Sequence, residues 1–449
     1  MHFSQLKKSV LLLVLAAMML LSACKVVVMD EVPESTKRTK ATTTESTKRT
    51  TTAKTTKSKT TTETTPEDVD VPAVSADTEP TWATEAPVEI PEESEMTEPD
   101  IEVPALWVDF EEMSLLPLED RFFLCEMAEE SMDVFQQVYR AAMTFEREVV
   151  FDEPITIDRM SNVMMLINYA CPEIMQIDCD YTYYTNGDGM CVSVEFHYLL
   201  NEDTYLWALE EIRTIFEELR RQTRGMSDYE KEQFAYELLI DVCTYDVTTT
   251  HSGTCYGAML EGVARCEGYA KSFMWMMWAL DIPCMTVTGD ILADGERHSW
   301  NIVEINGVFG HVDATHDDVE RDGEQCPVPY GFFNVSDAVV DNNRTTDRLY
   351  EILGKPVCDD ESMNFHVLDG SFVDSGDSPV DYLVELIYRA VERGDARIYL
   401  QIVDPNAYYD FSEMLDPLLQ EVLSSVLRSW SYQWYIYPDS QSFVIDLSY

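Results

Sequence analysis

Basic residues are scarce in this sequence. Lys and Arg number 31 against 83 Asp and Glu, and the formal net charge is −52. Because proteins bind nucleic acid by neutralising phosphates with Lys and Arg, this balance argues against nucleic-acid binding. It favours basic partners or cations, while the simpler interpretation is that the acidity only maintains solubility at a cell surface.

The N-terminal apolar run lacks the length of a comfortable transmembrane span. It extends from Val10 to Leu21 and follows Lys7-Lys8, a pattern typical of a signal peptide. Leu21-Ser22-Ala23-Cys24 resembles a bacterial lipobox, which implies a signal peptide over residues 1–23 and lipid on Cys24. A plain signal peptide with an incidental cysteine, or an uncleaved anchor, is the alternative.

The next stretch lacks the apolar content to form a core. Residues 35–66 are Thr-rich, and Glu-Ser-Thr-Lys-Arg-Thr occurs at 34–39 and again at 45–50. Residues 67–105 turn to Glu, Asp and Pro and contain no basic residue. We therefore predict a disordered spacer over 24–105.

A cysteine, a histidine and an aspartate then follow one another at the edges of predicted elements. Apolar residues recur at helical spacing after Cys266 until Asp281-Ile282-Pro283 ends the run, so Cys266 opens a predicted helix. The free N–H groups and the dipole at a helix N-terminus favour a thiolate, the form in which cysteine is a nucleophile.

A β-hairpin is predicted next, with strands at 298–305 and 308–315 around Asn306-Gly307. If the turn is a two-residue type I′ turn, paired residue numbers sum to 613, and Trp300 faces Asp313. His298 and Asp313 are then diagonal neighbours on one face, within reach of each other. An imidazole held by a carboxylate follows from this register, provided that no bulge shifts it.

The stretch from Cys255-Tyr256-Gly257-Ala258 to residues 331–336 resembles the transglutaminase-like core of many bacterial exported proteins. In that family a Cys opens the core helix, a His lies in a His-x-Trp-Asn strand, and an Asp ends the next strand before a Thr. The resemblance implies that Cys266, His298 and Asp313 form a catalytic triad. It also implies a papain-like core, in which the cysteine helix packs on an antiparallel sheet.

The sequence departs from the family pattern at three positions. Phe309 and Gly310 stand where the family commonly has Trp and Tyr, and His316 stands where it commonly has Trp. We expect such changes to alter the walls of the cleft. The candidate cleft residues are Trp300, Phe309, His311 and His316.

The whole chain is predicted to be α+β. Before the core we expect helices at 121–147, 160–169 and 205–224, a hairpin of strands at 179–185 and 190–199, and a capping box of Ser227 and Glu230. After it we expect strand, helix, strand, helix and two strands. The predicted domains are a signal peptide at 1–23, a spacer at 24–105, a supporting α+β region at 106–228, a transglutaminase-like core at 229–345 and a small α+β module at 346–449.

The eleven cysteines show no zinc-like Cys-x-x-Cys pair. Setting aside Cys24 and Cys266 leaves an odd number, so the others cannot all pair with each other. A disulfide among Cys171, Cys179 and Cys191 is one option, and ordinary buried thiols are the other.

A metal site is an alternative interpretation of the residues at the end of the predicted hairpin. Imidazoles and carboxylates, both common metal ligands, are frequent between residues 311 and 318. Strand alternation, however, places His311 and Asp313 on one face of the strand, while the others lie in the following turn. We therefore expect no metal and no cofactor. The residues concerned are His311, Asp313, His316, Asp317 and Asp318.

Three classes of function remain. The first is a cysteine acyl-transfer enzyme that acts on protein or peptide substrates at the cell surface, with amine acceptors giving cross-linking and water giving hydrolysis. The second is a catalytically silent surface binding protein that uses the same cleft. The third, a structural protein of the wall, leaves the triad unexplained.

The lipobox resemblance makes one prediction about location. We expect a lipid-anchored chain at the outer face of the cell membrane, so Cys24→Ala should leave the protein unprocessed or release it. Fractionation and mass spectrometry of the mature N-terminus measure this. Wild-type protein that is wholly soluble and carries no lipid on Cys24 would contradict it.

Overall fold

The structure, a computed structural model, describes residues 113–121, 129–321 and 324–449, which belong to one compact unit. The predicted signal peptide, Cys24 and the predicted spacer lie outside these residues. In the described ranges, no helix has the length and apolar content needed to cross a membrane.

The supporting region combines a three-stranded antiparallel sheet, in the order β1-β3-β2, with three helices. Thr156 and Asn201 cap the second and third helices with their side-chain oxygens. In chain order the elements are α1 Glu129–Met143, β1 Glu148–Ile155, α2 Ile157–Ala170, β2 Ile177–Thr185, β3 Cys191–Tyr198 and α3 Glu202–Gln222.

Most predictions for this region are confirmed. The second and third predicted helices and the β2–β3 hairpin are present, and the Asn186 side chain closes the hairpin turn by accepting amide hydrogen bonds from Asp188 and Met190 at 3.0 Å. The prediction of helix up to residue 147 is wrong, because Phe145 has a φ of 56° and β1 begins at Glu148. The sequence analysis missed β1, whose buried-exposed alternation is broken by consecutive exposed polar residues.

The core begins with the predicted capping box. Ser227 Oγ accepts a hydrogen bond from Glu230 N at 3.3 Å, and the Glu230 carboxylate accepts one from Ser227 N at 2.7 Å. A four-stranded antiparallel sheet follows, in the order β11-β8-β7-β6. The elements are α4 Asp228–Val242, β4 Thr244–Tyr245, β5 Val263–Ala264, α5 Cys266–Ala279, β6 Cys284–Asp290, β7 Arg297–Ile305, β8 Val308–Val312, α6 Ala314–Asp317, β9 Glu320–Arg321, β10 Glu324–Gln325 and β11 Phe333–Val335.

The cysteine-bearing helix α5 is the centre of the core. It is buried along nearly its whole length, including the Met-Trp run at 274–278, and this burial confirms that the run is core packing. It lies on β7, where the Asn301 side chain donates a hydrogen bond to the Ala270 carbonyl at 2.9 Å. The predicted packing of a cysteine helix on an antiparallel sheet is therefore confirmed.

The β7–β8 hairpin has the predicted register. Ile305 pairs with Val308, and each further pair out to Asn301 and Val312 sums to 613. Asn306 and Gly307 both have positive φ, 54° and 83°, as a type I′ turn requires. The second strand ends at Val312, three residues earlier than predicted, because α6 begins at Ala314.

Gly289 allows a later segment of chain to cross the sheet beside His298. It pairs with His298 across β6 and β7, and a Cβ at this position would lie 1.6 Å from the Thr345 carbonyl oxygen. Thr345 N in turn donates to the Asp290 carbonyl at 2.9 Å. The absence of a side chain at Gly289 thus lets Arg344 approach the functional face.

The C-terminal region has the predicted order of elements. Its sheet runs β12-β13-β15-β14, and the two long helices bury an apolar face against it. The elements are α7 Asp337–Val340, α8 Arg348–Ile352, α9 Phe365–Asp369, β12 Phe372–Val373, α10 Pro379–Arg393, β13 Arg397–Ile402, α11 Pro405–Val426, β14 Ser431–Tyr437 and β15 Ser442–Ser448.

This region contacts the core loop that precedes β11. Gln401 Nε2 donates to the Gly331 carbonyl at 3.1 Å, and the rings of Tyr330 and Phe365 stack with centroids 3.9 Å apart. The domain boundaries stay predictions, since the region has its own apolar core and yet packs on its neighbour.

The described cysteines are buried free thiols. Cys171 and Cys191 are among them, so the option of a disulfide that includes either of these two cysteines is wrong. The side chain of Cys179 lies outside the described part of the chain. The other members are Cys243, Cys255, Cys266, Cys284, Cys326 and Cys358.

Candidate active site

Cys266 is the first residue of α5, as predicted. Arg265 precedes it in an extended conformation, and Gly262, with a φ of 71°, ends the short π-helix before it. Gly268 lets the first turn lie against another loop, because a Cβ there would be 2.3 Å from the Ser252 carbonyl oxygen. The backbone thus fixes Cys266 at the helix N-terminus, where its side chain is 8% exposed.

The resting sulfur is a thiol. Burial raises the pKa of Cys266 to about 11, and the charges of Glu267 and Asp313 act in the same direction. Hydrogen bonds from the amides of Ser299 and Glu267 to the sulfur only partly offset this rise of the pKa. Burial thus outweighs the helix N-terminus, which on its own favours a thiolate.

His298 is the residue before Ser299, and its ring is paired with Asp313 as predicted. Its neighbour Ser299 supplies the amide that bonds Cys266, and its Nε2 is 2.7 Å from Asp313 Oδ2. Burial lowers the pKa of His298 despite the charge of Asp313, so the imidazole is neutral near pH 7. Nδ1 has no hydrogen-bond partner among the described residues and is the nitrogen available to Cys266.

Asp313 is held by four residues. Its Oδ1 caps α6 by accepting from the amides of Thr315 and His316, each at 3.1 Å. Its Oδ2 lies 2.5 Å from Arg344 Nη1, 2.8 Å from His316 Nδ1 and 2.7 Å from His298 Nε2. Burial would raise the pKa of Asp313, but these three groups hold it well below its usual range.

Sequence reasoning did not identify the roles of Arg344 and His316. Arg344 is fully buried, and its guanidinium lies over the rings of Trp300 at 5.0 Å and Phe332 at 4.6 Å. It comes 31 residues after Asp313, beyond any motif that could have marked it. His316 was marked only as a departure from the family pattern.

Trp300 and His311 form a layer behind the site, so their prediction as cleft residues is wrong. Trp300 stacks on His298 with centroids 6.0 Å apart and donates Nε1–H to His311 Nδ1 at 2.9 Å. His311 Nε2 lies 2.9 Å from Asp337 Oδ1, and this network assigns the ring proton to Nε2. Both His311 and Trp300 are 1% exposed.

The open cleft lies on the other side of His298. Its volume is about 500 Å³. Of the four predicted cleft residues only His316 lines it, since Phe309 pairs with Glu304 near the opposite end of the hairpin. Its acidic side chains are Asp294, Glu296, Asp318, Glu320 and Asp439, and its cations other than histidine are limited to Arg297.

The alternative metal cluster of five residues does not form. Asp317 is buried against the Tyr236 hydroxyl at 2.7 Å, and Asp318 bonds Tyr269. Two other groups in the described chain bring metal-binding atoms together: His298 with Asp313 and His316, and His311 with Asp337 and Cys358. The expectation of no resident metal or cofactor stays a prediction.

The raised thiol pKa makes a testable prediction. Thiolate absorbance, taken as wild type minus Cys266→Ala, should increase toward a midpoint at about pH 11. Glu267→Gln should move the increase to lower pH, because it removes a nearby negative charge, and Glu304→Gln at the hairpin turn is the control. A signal already complete at about pH 7 would instead show a preformed thiolate–imidazolium pair.

Comparison with known proteins gives a family match. Residues 217–314 match the model of the transglutaminase-like superfamily. A search of curated proteins found no match. Three solved structures are similar at low identity.

A protein from Cytophaga hutchinsonii proposed to be a cysteine protease is 13% identical, with a TM-score of 0.22, over 30% of this chain and 61% of its own. A TGase is 12% identical, with a TM-score of 0.24, over 40% of this chain and 53% of its own. Menin, whose crystal structure reveals the binding site for Mixed Lineage Leukemia (MLL) protein, is 14% identical, with a TM-score of 0.21, over 50% of this chain and 52% of its own. The chain thus spans less than two thirds of each. Residues 217–314, which include Cys266, His298 and Asp313, are the part of this chain that matches the transglutaminase-like superfamily.

Proposed function

We propose that the chain is a cysteine acyl-transfer enzyme whose nucleophile is Cys266, whose base is His298 and whose orienting acid is Asp313. One observation supports this most strongly: the buried Asp313 carboxylate holds His298 Nε2 at 2.7 Å, and the amide of the next residue, Ser299, bonds the Cys266 sulfur at the start of α5. A base oriented by a third group and close to a nucleophile is the arrangement common to such enzymes.

The proposed reaction starts from two neutral groups. As the sulfur attacks a carboxamide or peptide carbonyl carbon, an S–C bond forms and the thiol proton moves to His298 Nδ1. In this proposal the amide of Cys266, at the N-terminus of α5, stabilises the negative charge that develops on the carbonyl oxygen. His298 then gives its proton to the leaving nitrogen, the C–N bond breaks, and a thioester on Cys266 remains.

Water or an amine completes the cycle. His298 removes a proton from the acceptor as it attacks the thioester carbon, and the proton returns to the sulfur as the S–C bond breaks. Water yields an acid and thus hydrolysis, while an amine yields a new amide and thus cross-linking. A high thiol pKa suits this route, because proton transfer accompanies attack instead of preceding it.

Substrate selection is proposed to favour positive charge. Five acidic side chains line the cleft beside His298, and the cation Arg297 is paired with Asp347 at 2.5 Å and Asp290 at 3.1 Å. A peptide with Lys or Arg near the reacting amide would meet a complementary field there. Lipid on Cys24 would hold the enzyme at the membrane, where surface proteins are the available substrates.

A catalytically silent binding protein is the second candidate. The observation that favours it is the low exposure of Cys266 together with its raised thiol pKa. In that case the acidic cleft would bind a basic ligand, and affinity would not depend on the sulfur.

The test compares Cys266→Ala with Cys326→Ala, which removes another buried thiol from a different part of the fold. Purified chains would be incubated with Gln-containing peptides, acidic or basic at flanking positions, with and without a fluorescent amine. Ammonia release, peptide cleavage and amine incorporation would be recorded. We expect Cys266→Ala to fall to the background rate and Cys326→Ala to keep its activity, with basic peptides preferred.

Activity that survives in folded Cys266→Ala would contradict the proposal. If no variant is active, but basic peptides bind wild type and Cys266→Ala equally well, the binding-protein alternative is the correct one.

A further inference from the structure

His298, Asp313 and His316 approach one another in a way that hydrogen bonding alone does not satisfy. His298 Nε2 lies 2.7 Å and His316 Nδ1 lies 2.8 Å from Asp313 Oδ2, and the two nitrogens are 2.9 Å from each other. When both rings donate to the carboxylate, the contact between the nitrogens joins two donors. When one ring donates to the other, the acceptor ring gives up its bond to Asp313.

A metal ion satisfies all three atoms at once. Two imidazole nitrogens and one carboxylate oxygen form a ligand set that several transition metals bind. Given zinc–ligand bonds of about 2.1 Å, an ion would lie roughly 1.3 Å out of the plane of the three atoms and contact each of them. His316 is partly exposed and lines the cleft, so the ion has an entry path.

We infer that His298, Asp313 and His316 form a reversible site for a divalent transition metal such as zinc, and that the bound ion switches the proposed reaction off. The second half of this inference rests on the proposed function. A neutral imidazole bound to the ion through Nε2 carries its one proton on Nδ1, the nitrogen available to Cys266. His298 can then no longer accept the thiol proton, and Asp313 no longer orients it.

Arg344 lowers the affinity of this site for a metal ion. Its guanidinium lies 2.5 Å from the same Oδ2 and is fully buried, so its charge opposes the ion. We therefore expect weaker binding than at a structural zinc site, with removal by a chelator. Such affinity suits control of an enzyme better than permanent occupancy.

The second group of metal-binding atoms, His311 with Asp337 and Cys358, is a poorer candidate. Lys355 Nζ already occupies Asp337 Oδ1 at 2.5 Å, and Trp300 donates to His311 Nδ1. Burial raises the pKa of the Cys358 thiol to about 12, which disfavours the thiolate that a metal needs.

The test measures metal binding by the tag-free full chain, without reference to activity. Cobalt should give visible absorbance that zinc removes, and equilibrium dialysis should give one zinc per chain. His316→Gln and His316→Trp should raise the dissociation constant at least about tenfold, since losing a ligand costs no less than losing an outer-shell partner. Circular dichroism would verify folding, and His197→Gln, which removes an exposed imidazole on β3, is the matched control.

Activity is the second readout. Zinc should lower wild-type turnover, a chelator should restore it, and each His316 variant should lose less of its own zinc-free turnover. Absence of binding, or binding equal in wild type and both folded His316 variants, would overturn the inference. Binding lost in Cys358→Ser and kept in His316→Gln would place the ion at the other group and overturn it too. A metal that binds through His316 to a chain without acyl-transfer activity would leave the site standing and refute the proposed function.

Discussion

One oxygen of Asp313 is the point on which the functional face depends. It accepts contacts from His298, His316 and Arg344, each within 2.8 Å, and the carboxylate is 2% exposed. A carboxylate at that depth requires compensating charge, because desolvation penalises its ionised form. Several features of the chain serve this requirement: the hairpin register brings in His298, the start of α6 brings in His316, and the crossing at Gly289 brings in Arg344.

The same arrangement sets the chemistry. Ionised Asp313 orients an imidazole that burial keeps neutral, and the nearby Cys266 carries a thiol that burial keeps protonated. Nucleophile and base therefore begin uncharged, which avoids burying a second ion pair. Stability is tied to the site as well, since removing one partner of a buried ion pair typically costs about 3–5 kcal/mol. Arg344 and Asp313 form such a pair.

Much of this geometry could be predicted because it is local or periodic. Asn306-Gly307 specified the turn, the turn specified the register, and the register placed His298 beside Asp313. The start of α5 and the order of elements after residue 370 followed from apolar spacing and capping signals. The role of Cys24 stays a prediction, because it lies outside the described residues.

Long-range packing could not be predicted in the same way. Arg344 reaches Asp313 because a distant segment crosses Gly289, and no motif marks either residue. Trp300 and His311 share the face of the catalytic residues, but the sheet buries them behind the site instead of in the cleft. The state of Cys266 depends on its total burial and on Glu267, and these outweigh the dipole that the sequence alone suggested.

The most direct measurement of this account is turnover in variants at three positions of the hairpin face. Asp313→Asn should lower turnover by up to about 10⁴, the loss seen when a triad acid no longer orients its base. His298→Ala should lose at least as much, and His311→Ala, in the layer behind, far less as long as circular dichroism shows it folded. An active His298→Ala variant beside a folded, inactive His311→Ala variant would contradict the account, because the base and its acid would then both be assigned wrongly.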